Sequence, residues 1–213
     1  MIAVIAGATG LVGSYLVQLL LTNTEITSVI SVSRKSLNIN SPKLKEVIVS
    51  DFSKLDQHIL DLKGDLYFSC LGTTIKDAGS KENFRKVDFN AIVDFAKIAK
   101  ANDAKSLTVV SASGANPKSP IFYSKIKGET ELALMAQDIP SLVIFRPGLL
   151  IGNRKARRPT EKLFIEAFKK ISLILPTKLQ KIVGTDARLL AQRMLDEAKV
   201  LSKETVIIES KDI

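Results

Sequence analysis

The chain opens on an apolar, strand-like run, Ile2-Ala-Val-Ile-Ala6, that breaks directly into Gly7, Gly10 and Gly13, a G-x-x-G-x-x-G spacing. An amphipathic stretch from Ser14 to Leu21 follows at once. Strand, glycine turn and helix in this order are what a dinucleotide site requires. Gly7 permits the tight turn, Gly10 lets the backbone approach a pyrophosphate, and Gly13 lets helix and strand pack closely. The phosphates then rest on free amides at the helix N-terminus. The expected cofactor contacts of this segment are Gly7, Thr9, Gly10, Leu11, Val12 and Gly13.

The rest of the chain repeats the alternation. Runs rich in Val and Ile at 2–6, 28–32, 46–50, 65–71, 106–111, 142–146 and 205–209 read as strands. Most lack period-two patterning, as parallel strands buried on both faces do. Helical patterns fall near 11–22, 53–60, 81–101, 123–136, 160–172 and 186–201. In the third, Phe84, Val87, Ala91, Phe95 and Ile98 recur at threes and fours. Alternating strands and helices imply right-handed crossovers and an α/β fold with a doubly wound parallel sheet, a Rossmann fold that binds NAD(P). One such domain over residues 1–213 is expected. Residues 152–185 are the segment expected to leave the core and cover the substrate side.

Composition removes several chemistries. A lone histidine, His58, and a lone cysteine, Cys70, leave no Ser-His-Asp or Cys-His arrangement, no disulfide and no histidine-rich metal site. The formal charge of +9 is uneven: residues 1–150 carry 17 basic and 14 acidic side chains, residues 151–213 carry 14 and 8. The densest cluster is Arg154-Lys155-x-Arg157-Arg158. Few aromatics lie beside it, so the stacking surface of a single-strand binder is missing and nucleic-acid binding is not expected. No basic leader precedes the apolar run, which ends at Gly7, and no stretch nears the roughly 20 apolar residues that span a bilayer. A soluble, cytoplasmic protein is the expectation.

The end of the second strand selects the cofactor. An acidic residue there favours NAD; this chain has Ser33-Arg34-Lys35. A guanidinium pairs bidentately with a 2′-phosphate, and Ser33 and Lys35 add hydrogen bonds or charge. NADP(H) is expected.

Tyr123-Ser-Lys-Ile-Lys127 supplies the chemistry. A tyrosine and a lysine four apart share one helix face. The ammonium stabilises phenolate and so eases proton exchange. A strand ending Val110-Ser111-Ala112-Ser113-Gly114 lies upstream, and binding crevices form at such strand ends. Ser111 is the first choice to polarise a substrate carbonyl, with Ser113 in reserve.

Together these motifs resemble a short-chain dehydrogenase/reductase of the atypical, epimerase-like branch. More closely, Ser33-Arg34, Cys70-Leu-Gly-Thr-Thr74, Val87-Asp88, Tyr123-x-x-x-Lys-Gly-Glu129 and Phe145-Arg-Pro-Gly148 resemble the HIV Tat-interacting oxidoreductase family and its bacterial relatives. That resemblance implies NADPH binding, with Leu71 and Gly72 lining the cofactor and Leu150 near the nicotinamide. It also implies Arg158 reaching the same site, Tyr123 as proton donor and Lys127 as its electrostatic partner. A homodimer through the helices near 81–101 and 123–136 follows only by analogy.

The expected activity is NADPH-dependent reduction of a small-molecule carbonyl. A redox-sensing binding protein acting through a protein partner is the alternative. An epimerase with tightly held NAD is disfavoured by Arg34. Losing a charge-assisted pair is worth about 1.5–3 kcal/mol. Arg34→Glu is therefore expected to weaken NADPH binding by about 10- to 100-fold while sparing NADH, as read by titrating the purified protein with each nucleotide.

Overall fold

The structure, a computed structural model, describes residues 1–152 and 184–213. Strand β1 (Ile2–Ala6) passes through the glycine turn into α1 (Leu11–Thr22), followed by β2 (Ser28–Ser33) and β3 (Leu44–Ile48). Two 3-10 turns, Phe52–His58 and Leu60–Leu62, lead into β4 (Leu66–Ser69). Then come α2 (Ile75–Ala78), α3 (Lys81–Arg85), a π-helical stretch Lys86–Ala91 and α4 (Ile92–Ala101). The chain continues through β5 (Ser106–Val110), α5 (Phe122–Met135), β6 (Leu142–Arg146) and β7 (Leu149–Ile151). The second described stretch holds β8 (Gly184–Asp186), α6 (Ala187–Val200) and β9 (Thr205–Glu209).

Seven strands form one parallel sheet in the order β3-β2-β1-β4-β5-β6-β9. The order reverses at β1, so a crevice opens where β1 and β4 end side by side, Ala6 paired with Ser69. The expected doubly wound sheet is what forms. Strand residues alternate between two apolar layers instead of between core and water. Ala3 and Ile5 join Leu16, Leu20, Leu190 and Met194 on the α1–α6 face. Val4 and Ala6 join Phe95, Ile98 and Leu134 on the α4–α5 face. Full burial of one such aliphatic or aromatic side chain is worth about 1.5–3 kcal/mol, which is why both faces of each central strand are apolar.

Three local differences from the sequence reading have physical causes. The expected helix over 81–101 is split: π geometry at Lys86–Ala91 admits an extra residue per turn and carries Asp88 inward, where it is fully buried. The expected helix over 53–60 is a pair of 3-10 turns, started by Asp51, whose side chain accepts from the Ser53 amide. The strand expected at 65–71 ends at Ser69, because Cys70 and Leu71 carry their backbone against Gly7. A short parallel pair, β7 with β8, escapes the periodicity because three residues carry no period. The expected helix at 160–172 and most of 152–185 lie outside the described residues. Among the described residues no helix is long and apolar enough to cross a membrane.

The glycine turn fixes the geometry of the crevice. Gly7 adopts φ +83, and a Cβ there would stand 2.5 Å from the Cys70 carbonyl carbon. A Cβ at Gly13 would overlap the Gly7 carbonyl oxygen and stand 2.9 Å from the Ala8 Cα. Gly13→Ala is expected to destabilise the protein by about 3 kcal/mol through overpacking against backbone that cannot yield, measured as a drop in the urea midpoint.

Candidate functional site

A hollow of about 490 Å³ lies at the C-terminal ends of β1, β4 and β5. Of the expected residues, Gly10, Leu11, Val12, Leu71, Gly72, Ser111, Ser113, Tyr123, Lys127 and Leu150 line it. A second hollow of about 580 Å³ shares Gly10, Leu71 and Gly72 with the first and adds Gly7, Thr9, Ser33 and Arg34. The two form one trough along the sheet's edge. Gly13 lies behind the turn, where its role is close packing. Lys35 is exposed and lines neither hollow. The Ser33 hydroxyl donates to the Lys35 carbonyl at 2.6 Å, so its proton is already engaged. Arg158 lies outside the described residues.

The trough's middle suits a pyrophosphate. Helix α1 starts at Gly10 with no side-chain cap and no acidic residue in its first turn. Its leading amides, those of Leu11 and Val12 among them, therefore face the hollow without an internal acceptor, at the positive end of the helix dipole.

The catalytic end is built on α5. Tyr123 sits in the first turn, its ring 5.5 Å from that of the buried Phe84. Lys127 lies one turn on, with its side chain 5% exposed, and its Nζ is 2.7 Å from Asp88 Oδ1. Asp88 is wholly buried, and its other oxygen accepts from the Thr73 amide at 2.8 Å. Thr130 donates its hydroxyl to the Asp88 carbonyl at 2.8 Å and so ties the π-helical stretch to α5. Burial works against the Lys127 ammonium, but Asp88 foremost, with Tyr123 and Glu131, outweighs it and holds the lysine above its ordinary value.

A second polar chain runs from the hollow into the protein. Ser111 donates to Glu131 Oε1 at 2.5 Å. Arg146 grips the same carboxylate with two hydrogen bonds, at 3.0 and 2.6 Å, and reaches Glu209 on β9 at 2.8 Å. The hydrogen bonds it donates to both carboxylates hold the Arg146 guanidinium firmly charged. Cys70 also borders the hollow; burial pushes its thiol up to about 12, so it is no nucleophile at neutral pH.

Several residues of this constellation have no role in the sequence reading. Asp88 and Arg146 enter there only as parts of a resemblance. Glu131 carried a signal: Tyr123, Lys127 and Glu131 are spaced by fours on one helix. Lys86, which joins Arg34 at the far end of the trough, has no part in the sequence reading.

Residues 3–181 match the model of the NAD dependent epimerase/dehydratase family. The mitochondrial protein FMP52 of Candida albicans is 41% identical over 155 residues, 71% of this chain and 68% of its own. The mitochondrial fmp52-2 protein of Aspergillus terreus is 31% identical over 94% of this chain and 90% of its own. Among solved structures, MoeE5 in complex with UDP-glucose and NAD superposes with a TM-score of 0.75 at 17% identity, over 98% of this chain and 75% of its own. The WbmH enzyme of Bordetella bronchiseptica in complex with NAD+ gives 0.71 at 18%, over 93% and 72%.

These names support the broader of the two resemblances, the epimerase-like branch, while the relatives are called FMP52 and not Tat-interacting oxidoreductases. They also correct the cytoplasmic expectation, because the curated relatives are mitochondrial proteins.

Removing one partner of a buried ion pair strands the other, at about 3–5 kcal/mol. Arg146→Met leaves the Glu131 carboxylate in that position and is expected to lower stability by that amount in urea denaturation.

Proposed function

The chain belongs to the NAD dependent epimerase/dehydratase family, and we propose that within it the protein is an NADPH-dependent reductase of a small-molecule carbonyl. The observation that carries this reading is one continuous trough with the glycine turn in its middle, Tyr123 and Lys127 at one end and Arg34 at the other.

In this reading the first-turn amides of α1 receive the pyrophosphate. Arg34, with Lys86 beside it, takes the 2′-phosphate that distinguishes NADPH. Lys127 holds the nicotinamide ribose. The bound nicotinamide supplies a hydride to the carbonyl carbon. Leu11, Leu71, Val110 and Leu150 give the reacting end an apolar wall that limits water. Tyr123 donates its phenolic proton to the oxygen as negative charge develops there.

The polarising hydroxyl is assigned to Ser113 in preference to Ser111. The single Ser111 proton is directed at Glu131, which Arg146 grips from the other side. Ser111 then offers the hollow only an acceptor. Ser113 is exposed on the same wall, and its hydroxyl has no partner among the described residues. The relatives' names support a mitochondrial setting for the activity.

The test is NADPH oxidation, followed by its absorbance, against a panel of aldehydes and ketones. Tyr123→Phe is expected to lower kcat by about 10² to 10⁴, and Ser113→Ala to cost more than Ser111→Ala. Full turnover by Tyr123→Phe would end the mechanism. Nucleotide-sugar interconversion without net NADPH consumption would place the protein instead with the sugar-nucleotide enzymes whose fold it shares.

A further inference from the structure

A cation one helical turn from a phenol has a side effect that a reductase must manage. An uncompensated ammonium favours the phenolate, yet a proton donor has to begin each turnover with its proton in place. The structure pairs this cation with a carboxylate in a position that a merely stabilising pair does not need. Asp88 and Lys127 are both buried and stand 2.7 Å apart. Apolar residues of similar volume would stabilise such a place at least as well. The pair also borders the hollow beside Gly72: a Cβ there would stand 3.6 Å from Asp88 Oδ1 and 3.7 Å from Lys127 Nζ.

We propose that Asp88 is a positioning residue that fixes Lys127 on the wall of the hollow and cancels its charge as felt by the Tyr123 phenol. Three features support this. The π-helical stretch turns Asp88 inward. The Thr73 amide and the Thr130 hydroxyl then fix its side chain and its backbone. Among the described residues, Asp88 and Lys127 are the only charged groups on the wall of the hollow that holds Tyr123. Glu131, next along the same helix, acts on Lys127 but is itself paired with Arg146. From α3, Phe84 presents an uncharged ring, Lys81 stands over the ring of neighbouring Phe122, and Arg85 is paired with Glu129 on α5. The pair therefore gives the phenol a neutral neighbour that still offers Lys127 N–H groups to a ribose. The inference rests on Tyr123 being the proton donor of the proposed reductase.

Phenolate absorbance tests it directly, without cofactor or substrate. The chain has three tyrosines and no tryptophan. Buried Tyr67 is pushed up to about 12 by burial, and Tyr15 is common to every variant. Subtracting the matching Tyr123→Phe protein isolates the Tyr123 titration. Asp88→Asn keeps an acceptor for Thr73 but removes the charge, and is expected to move the Tyr123 titration down by about one pH unit or more. Asp88→Leu combined with Lys127→Met removes both charges and is expected to leave it within ~0.5 pH unit of the wild type.

An unchanged titration in folded Asp88→Asn overturns the proposal. So does a rise of a full unit in the double variant, which would mean that Lys127 had acted alone. If Asp88→Asn does not fold, the double variant decides. Failure of every carbonyl in the NADPH assay sinks the reductase reading and leaves this titration readable, so the two can fail separately.

Discussion

Everything in this fold depends on how closely α1 approaches the end of β1. The Gly7 carbonyl lies where a Gly13 side chain would have to be, and the Gly7 backbone lies against Cys70 and Leu71. Three pieces of backbone, from β1, α1 and the end of β4, therefore meet without side chains between them. That contact brings the amide-rich start of α1 to the point where the strand order reverses. It also aligns the end of β4, so that Leu71 and Gly72 wall both hollows. A single added methyl group separates these pieces, and the trough loses its middle.

The fold was legible because its signals are local and redundant. Each central strand is an apolar run with glycine, serine or asparagine near its ends, and each long helix carries its own period. The trough's lining was equally legible where spacing fixes it, as at Gly7, Gly10, Tyr123 and Lys127. What stayed hidden depends on contacts between distant parts of the chain. Asp88 sits amid helical sequence and becomes a site residue only because a π turn rotates it toward α5, 39 positions away in sequence for Lys127. The direction of the Ser111 proton depends on Glu131, which Arg146 holds from another strand. Spacing names the hydroxyl but cannot say which neighbour receives its hydrogen. Lys35 illustrates the converse: adjacent to Arg34 in sequence, it points away from the trough's lining because neighbouring residues at a strand's end diverge.

The polar interior divides into two charge-balanced units. Lys127 with Asp88 joins α5 to the π-helical stretch, while Arg146 with Glu131 and Glu209 ties α5 to β6 and β9. The first borders the hollow, and its composition matters to chemistry. The second lies behind the wall, where it holds α5 at a fixed height above the sheet. Because Ser111 joins the second unit, the hydroxyl is anchored to the scaffold and not left to turn freely. Both units hang on α5, so a displacement of that helix would disturb Tyr123, Lys127 and the Ser111 anchor together.

The short parallel pairing of β7 with β8 has a consequence for how such a chain can diversify. Leu149 stands beside Gly184 and Ile151 beside Asp186. Because the pairing is parallel, the exit at Ile151 and the return at Gly184 lie at opposite ends of this short ladder, with Leu150 on the rim of the hollow. Doubling the length of a closed loop adds only about 0.6 kcal/mol of closure entropy. Insertions or replacements there leave the register of the seven-stranded sheet untouched. The β7–β8 ladder is thus a join set apart from the seven-stranded sheet, and changes at it need not move the strands whose ends form the trough.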